Sequence, residues 1–413
     1  MVLLLMEPGL MEATMQKEKY VLVVDLLSSA EYLAERFVAE GYGVIVLSTL
    51  DLLFGKDYCS YDKLDCVVIK STHDVAEDLA LLQPYQDKLI GGFYGSEISV
   101  AYADKILNKL FPSAANSCAT SDLRCNKYAM VQAMSKNGDG IAQVKAEVDD
   151  VARSIALADE FLQKYGAIVI KPAACSAASL GVFAPKNLAE IEHYFHAKGH
   201  FMSAGGCYVI QEKINIATEF YVDCVSSHGE HLIVNIGKYK KNAKNGCFEY
   251  VYADKIELDA ADAKLKQYAL QVLHNLDMQN GMSHIEIALD DQGRYRLIEL
   301  NPRASGGHGC INRMTKNSGQ PDQVDAYIAL LNKYELKETA NQGKRYQRLI
   351  FLRSENYKNV IDELSCVTNC YHLNPHKVTE DGDEGYSMLA DCYGFLILAG
   401  DNQQCLDDDT SRV

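Results

Sequence analysis

The chain has 413 residues, 48% of them hydrophobic, with 56 acidic against 40 basic residues and a formal net charge of −16. That much apolar material excludes a disordered chain and implies two to four domains of roughly 100–200 residues each. The acidic excess excludes a nucleic-acid or anionic-membrane surface unless a local basic patch offsets it, and the nearest to one is "KYKKNAK", Lys238 to Lys244.

In chain order, the opening "MVLLLM" is too short to export or anchor anything, and residues 1–19 read as a loose N-terminal arm. "YVLVVD" from Tyr20, the periodic "AEYLAERFVAEGYG" and "VIVLS" make a strand, a crossover helix and a second strand, which is a βαβ unit. Apolar runs at "DCVVIK" and "KLIGGFYG" and a helix at "ISVAYADKILNKLF" continue that alternation, so residues 20–116 form a first α/β domain. A mainly helical stretch from Asp122 to Tyr165 leads to "GAIVIKPAACSAASLGVFAPKN", two short strands around a loop of small residues, within a unit spanning 117–205. From 206 to 330 helix and strand alternate through "YVIQEKI", "TEFYVDCVSS" and "EHLIVNIG". A long helix, Asp259 to Leu276, then precedes "MSHIEIALD" and "RYRLIELN". The connector "DQG" is hairpin chemistry, polar residues with a glycine for positive φ. A last segment, 331–413, carries strand-like "RLIFLR" and "YGFLILAG".

Thirteen cysteines without regular spacing suit reduced thiols and a cytosolic protein rather than a disulfide framework. "CVTNCYHLNPH" supplies Cys366, Cys370, His372 and His376, all metal-ligand types. One residue between the second cysteine and the first histidine is far shorter than a zinc finger's loop, and on a strand the four would merely share a face.

Chemistry concentrates at four places. Side chains alternate along a strand, so Glu299, Asn301 and Arg303 share a face, as do His284 and Glu286 on the partner strand. If the hairpin closes at "DQG", Glu286 and Glu299 become neighbours, and two adjacent carboxylates are costly unless a cation lies between them. Mg²⁺ takes such a set together with phosphate oxygens; a solvated polar hairpin is the plainer reading. Lys171 ends an apolar strand before small residues whose backbone can approach phosphate, although no P-loop pattern is met. Arg124 and Lys127, three apart, fall on one helical face. Glu212, Glu219 and Asp223 lie on and after the strand "YVIQEKI", with Glu219 and Asp223 on one face.

Taken together, in this order, these features resemble the ATP-grasp superfamily, with an α/β (α+β) ATP-grasp fold and an N-terminal Rossmann-like pre-ATP-grasp domain. The resemblance implies that Lys127 and Lys171 contact ATP phosphates or the adenine N7. The loop from Ala173 to Gly181, with Ser176, Ser179 and Gly181, would fold over the triphosphate. It reads "CSAASLG" where many relatives have a glycine at the position of Ala178. Glu212 would bind the adenine amino group, with Lys213 and the main chain at Ile214 beside it, and Glu219 would bind ribose. Glu286, Glu299 and Asn301 match ligands of Mg²⁺, with Mn²⁺ as a substitute, and Arg303 the arginine that holds an acyl phosphate. Gly306 and Gly307 would offer N–H groups to the same oxygens, with His308 and, from the first domain, Glu97 as further substrate contacts. For His308 a structural role is the other reading.

The N-terminal stretches "VVDLLSSAEYLAERFVAEGYGVIV" and "YGSEISVAYADKI" look like those of L-amino-acid ligases, which make dipeptides. The implied activity is an ATP-dependent acid–amino-acid ligase joining a small carboxylate to an amine, both amino acids, through an acyl phosphate with release of ADP and phosphate. Neither nucleic acid nor membrane is an expected partner; a homodimer is common among relatives. A non-catalytic ATP-binding regulator and a carboxylase-type enzyme using carboxyphosphate are the alternatives.

Overall fold

The computed structural model describes residues 17–27, 29–49, 65–136, 138, 140–174, 181–198, 206–244, 246–333, 344–354, 356–372 and 392–413. Four parallel strands come first: β1 (Tyr20–Val24), β2 (Gly43–Ser48), β3 (Val67–Lys70) and β4 (Leu89–Tyr94), in the order β3-β2-β1-β4. Every residue of β1 is fully buried, as a parallel strand covered on both faces requires. Val21 and Val23 pack with Leu33 and Phe37 of the helix Ala30–Ala39. Tyr20, Leu22 and Val24 face the opposite way, toward Val100, Ala103 and Leu107 of the helix Val100–Leu110. Strand order reverses between β1 and β4, so the loops after them open the crevice where α/β sheets bind ligands.

A small antiparallel sheet, β5 (Gln143–Glu147), β7 (Cys207–Glu212) and β6 (Ile168–Pro172), runs in the order β5-β7-β6. Ile168, Ile170, Tyr208 and Ile210 pack against Ala158 of the helix Val151–Tyr165 and Ile191 and Tyr194 of the helix Leu188–Lys198. The third sheet has eight antiparallel strands ordered β12-β11-β8-β9-β10-β13-β15-β14. They are β8 (Ile216–Ser227), β9 (Glu230–Lys244), β10 (Cys247–Ile256), β11 (Gly281–Asp290), β12 (Tyr295–Asn301), β13 (Tyr346–Leu352), β14 (Val367–His372) and β15 (Gly394–Gly400). The helix Ala263–Asn275 covers one face through Leu265, Ala269 and Val272. The helix Cys310–Asn317 covers the other with Ile311 and Met314 against Phe351 and Phe395. The strands of the last segment thus extend the large sheet. Among the described residues no helix is long and apolar enough to cross a membrane.

The stretch 122–165 is mainly helical, as its sequence suggests, in the helices Ser121–Cys125, Lys127–Ser135 and Val151–Tyr165, with β5 between the second and third. Two local readings are corrected. Asn126 breaks the first pair, because it is extended (φ −120°, ψ 112°) and its side chain accepts from the N–H groups of Tyr128 and Ala129, as an N-cap does. Arg124 and Lys127 therefore do not share a helical face; Arg124 is fully buried while Lys127 opens the next helix. Nor do helix and strand alternate beyond residue 206. The segments β7, β8, β9 and β10 follow one another as strands, turning at such points as His228–Gly229 (φ 52° and 78°), too short for a helix.

Gly95 shows how tightly the crevice is built. Its N–H donates to Val24 O at 2.8 Å, and a Cβ there would lie 1.6 Å from the carbonyl oxygen of Asp25. Gly95→Ala must push β1 and β4 apart at their exits. The expected loss is about 1–3 kcal/mol of stability, read as a lower urea midpoint; an unchanged midpoint would show that this junction yields freely.

Candidate active site

The hairpin of β11 and β12 closes at the "DQG" turn, where Asp290 Oδ1 accepts from the N–H groups of Gln292 (3.0 Å) and Arg294 (2.8 Å) and Gly293 takes φ 75°. The register sets Glu286 directly opposite Glu299 and His284 opposite Asn301. A slip lets Ile287 face Leu297, leaving Ile298 as a bulge. Strand β12 is the outer edge of the sheet, so Pro302 can end it without removing a ladder bond.

A cavity of about 470 Å³ lies between this hairpin and the small sheet. Lys127, Lys171, Glu212, Lys213, Ile214, Glu219, Glu286 and Glu299 all line it, together with apolar Ile141, Val169, Val182, Phe248 and Leu297. Lys171 stands on β6 opposite Val209 of β7. Lys127 is brought in from the helix start, where its N–H donates to Ala173 O at 2.7 Å and ties the helix to the end of β6. Glu212 closes β7 with its Oε1 accepting from Ala142 N at 3.0 Å. The three-residue hinge before β8 places Lys213 and Ile214 on the cavity wall. A cavity of this size, lined by apolar side chains and by a cluster of lysines and carboxylates, can take a nucleotide, its base against the apolar wall and its phosphates at the lysines.

The charges are arranged in opposed pairs. Lys127 Nζ lies 2.7 Å from Glu299 Oε1. Lys241 pairs with Glu219 and stands 3.8 Å from Glu286 Oε2. Tyr250 donates its hydroxyl to Glu286 Oε1 at 3.2 Å. Burial pushes the Glu286 carboxyl up, but Lys241 and the imidazole of His284 outweigh it and hold it well below the usual carboxylate range. Burial, and then the charge of Lys127, lower the Lys171 ammonium to about 8. Two carboxylates across one register step, with the Asn301 amide two residues along, offer hard oxygen donors, and that donor set fits Mg²⁺ or Mn²⁺.

A second cluster sits outside the cavity, where the crevice of the first domain meets the chain after β12. Arg303 is ion-paired through Nε with Glu97, donates from Nη1 to Ala304 O at 2.8 Å and reaches Asn301 Oδ1 at 3.5 Å. Burial raises the Glu97 carboxyl, yet Arg303 beside it brings it below its ordinary value. Gly306 and Gly307 follow, with Gly307, His308 and Gly309 all left-handed (φ 70°, 52° and 72°). Gly309 donates to Ser29 Oγ at 2.8 Å, and a Cβ on it would fall 2.5 Å from the Tyr32 side chain. The glycine is therefore what lets the first domain's helix close on this turn. His308 is partly exposed, 4.0 Å from Glu31 Oε2.

The sequence-predicted residues thus divide between the cavity and the adjoining glycine turn, with Asn301 reached from the second by Arg303. Ser176 and Ser179 lie outside the described residues; Gly181 is left-handed and accepts from Tyr194 OH. Lys241 and Phe248 escaped the sequence reading, since the strand expectation stopped at Gly237. The alternation Tyr239, Lys241 beyond it was the available signal. Cys366 is buried in the C-terminal core with its N–H bonded to Asp409. Among the described residues no three His, Cys, Asp or Glu side chains gather as a metal cluster; His376 lies outside those residues.

The ATP-grasp domain model matches residues 165–312, from the end of the helix Val151–Tyr165 into the helix Cys310–Asn317. No curated protein matches the chain. Among solved structures it is similar to an L-amino acid ligase from Bacillus licheniformis, at 14% identity, covering 96% of this chain and 97% of that one, with a TM-score of 0.68. It is also similar to N5-carboxyaminoimidazole synthetase from Staphylococcus aureus complexed with ADP, at 13% identity, with coverage of 95% and 96% and a TM-score of 0.67. The corresponding synthase from Aspergillus clavatus, in complex with ADP and aminoimidazole ribonucleotide, is 14% identical, with coverage of 95% and 99% and a TM-score of 0.66. Residues 165–312 thus form an ATP-grasp domain, and the chain shares the fold of these structures along nearly its whole length.

Proposed function

We propose that the protein is an ATP-dependent carboxylate–amine ligase whose substrates are amino acids. The observation that carries this reading is the register pair Glu286–Glu299 at the charged end of a cavity that also holds Lys127 and Lys171. ATP would lie with its base between Ile214 and the apolar wall, and its phosphates toward the lysines. When bound on Glu286, Glu299 and Asn301, Mg²⁺ would supply a Lewis acid that draws charge from the phosphate oxygens.

In the first step a carboxylate oxygen of the donor attacks the γ-phosphorus and the bond to ADP breaks, giving an acyl phosphate. In the second, the amine nitrogen attacks the acyl carbon, phosphate leaves and the nitrogen gives up a proton. Both steps gather negative charge on oxygen, so the fixed ammonium groups of Lys127 and Lys171 act where the charge develops. Arg303, ion-paired with Glu97 beside the glycine turn, would receive the donor carboxylate, since a guanidinium binds such a group through two parallel hydrogen bonds.

The resemblance to N5-carboxyaminoimidazole synthetases supports a second reading, in which bicarbonate is the phosphoryl acceptor. ATP cleavage measured with an amino-acid mixture and, separately, with bicarbonate and no amino acid tells the two apart. We expect ADP and phosphate only with the amino acids, together with a condensed product of their summed mass less one water. Cleavage driven by bicarbonate alone would reverse the choice, and none in either mixture would favour a nucleotide-binding regulator.

A further inference from the structure

Behind the candidate metal pair, the large sheet carries a buried polar chain that the reading above leaves unused. Asp223 on β8, His284 on β11 and Asn235 on β9 are register neighbours, His284 opposite Asp223 and Asp223 opposite Asn235. Asp223 is fully buried and His284 is 3% exposed. Asn235 Nδ2 donates to Asp223 Oδ2 at 3.2 Å, and Asp223 Oδ1 lies 2.7 Å from His284 Nδ1. A carboxylate only accepts, so Nδ1 carries a hydrogen and the Nε2 edge is turned outward. There it meets Tyr239 OH at 3.3 Å and Glu286 Oε1 at 3.7 Å. The Tyr221 ring stacks on the imidazole with centroids 5.9 Å apart, closing off other orientations.

We propose that Asp223 and His284 are a positioning pair for Glu286, built to hold that carboxylate in the orientation that takes a divalent cation. The inference rests on the ligase reading and adds to it which residues set the metal site. An aspartate and a histidine inside a sheet are costly, and well-packed apolar side chains would hold the strands as well or better. The hydrogen bonds from Asn235 through Asp223 fix the imidazole, whose Nε2 then stands in a 3.7 Å ion contact with Glu286 Oε1. Tyr250 and His284 both lie beside Glu286 Oε1, while Oε2 stands nearer Lys241, which lines the cavity with Glu286. Carboxylates that bind metals are commonly fixed by such outer partners, whose loss weakens metal affinity about 10–100-fold.

The test is a Mn²⁺ titration followed by electron paramagnetic resonance, with a non-hydrolysable ATP analogue present, on the full-length wild type and on His284→Asn and Asp223→Asn. Asparagine at 223 keeps an acceptor for the imidazole, so that variant guards against simple misfolding. We expect each variant to bind Mn²⁺ about 10–100-fold more weakly, while its melting temperature and its metal-free affinity for the analogue stay near the wild-type values. In turnover, the KM for Mg²⁺ should rise far more than kcat falls. Mn²⁺ affinity within two-fold of wild type in a folded variant would overturn the positioning role and leave the ligase reading standing. A wild type that binds no Mn²⁺ with the nucleotide analogue would overturn the metal site itself, and the pair's role with it.

Discussion

Glu299→Ala should lower substrate-dependent ATP cleavage by about two or more powers of ten, because it removes two things at once. One is half of the carboxylate pair set by the β11–β12 register. The other is the partner of Lys127, whose ammonium lies 2.7 Å from Glu299 Oε1. Without that carboxylate the ammonium loses its fixed position toward the phosphates, so nucleotide affinity should fall as well. The fold should survive because β12 is an edge strand and the Glu299 side chain is 19% exposed, with the cost falling on the buried Lys127, which loses its counter-charge. Glu299→Gln keeps size and one oxygen donor while losing the charge, and should fall between the two. Activity of Glu299→Ala within a few-fold of wild type, in an assay saturated with Mg²⁺, would remove Glu299 from the site.

The largest effect on stability is expected far from the nucleotide, at Arg124→Met. The Arg124 guanidinium is fully buried and gives Nη2 to Asp104 Oδ2 and to Ser117 O, both at 2.8 Å. Its Nη1 reaches Thr120 Oγ1 at 3.0 Å and Asp277 O at 2.9 Å. Asp104 belongs to the first domain's helix, whereas Asp277 lies just before β11, so one side chain clamps the crevice domain to the strand that carries Glu286. Beside it, Asn116 donates to Asn280 O at 2.8 Å and accepts from Gln279 N at 2.8 Å, which makes the junction a rigid joint. Truncation to methionine leaves Asp104 buried without its counter-charge, a loss of about 3–5 kcal/mol. Chemical denaturation would read it directly. Adding Asp104→Asn should restore part of the loss, since the stranded charge is then gone. A single variant as stable as wild type would mean that the clamp carries no net stabilisation.

Arg124 also shows where sequence reading falls short. Two basic residues three apart invite a helical face, but one asparagine in the N-cap position between them turns the first inward and the second toward the cavity. The signal was present, because asparagine before a helix caps it, yet which of two overlapping helical patterns wins depends on what each side chain meets in space. The hairpin was far more legible. Its register follows from a two-residue periodicity and a short turn, both local, so the meeting of Glu286 and Glu299 could be inferred from the residues alone. The βαβ start was legible for the same reason. The eight-strand order was not, because β13 joins β10 across more than ninety residues of chain, with β15 and β14 added beyond it, and no local pattern specifies a distant partner. Lys241 was lost with it. Its place between Glu219 and Glu286 depends on β9 pairing with β8 beyond Gly237, in a stretch that reads as a basic surface run. Likewise Glu97 could be marked as a substrate contact, but its hold on Arg303 arises only when the crevice domain closes on the turn after β12.

Transfer of oxygen from the donor carboxylate to phosphate tests the ligase most directly. With an amino-acid mixture labelled with ¹⁸O in its carboxylates, an acyl phosphate places one of those oxygens in the phosphate released when the amine attacks. Mass spectrometry of that phosphate should show one ¹⁸O per turnover, matched by an equal amount of ADP and of condensed product. Phosphate carrying no label despite steady ADP release would contradict an acyl-phosphate ligase acting on these carboxylates.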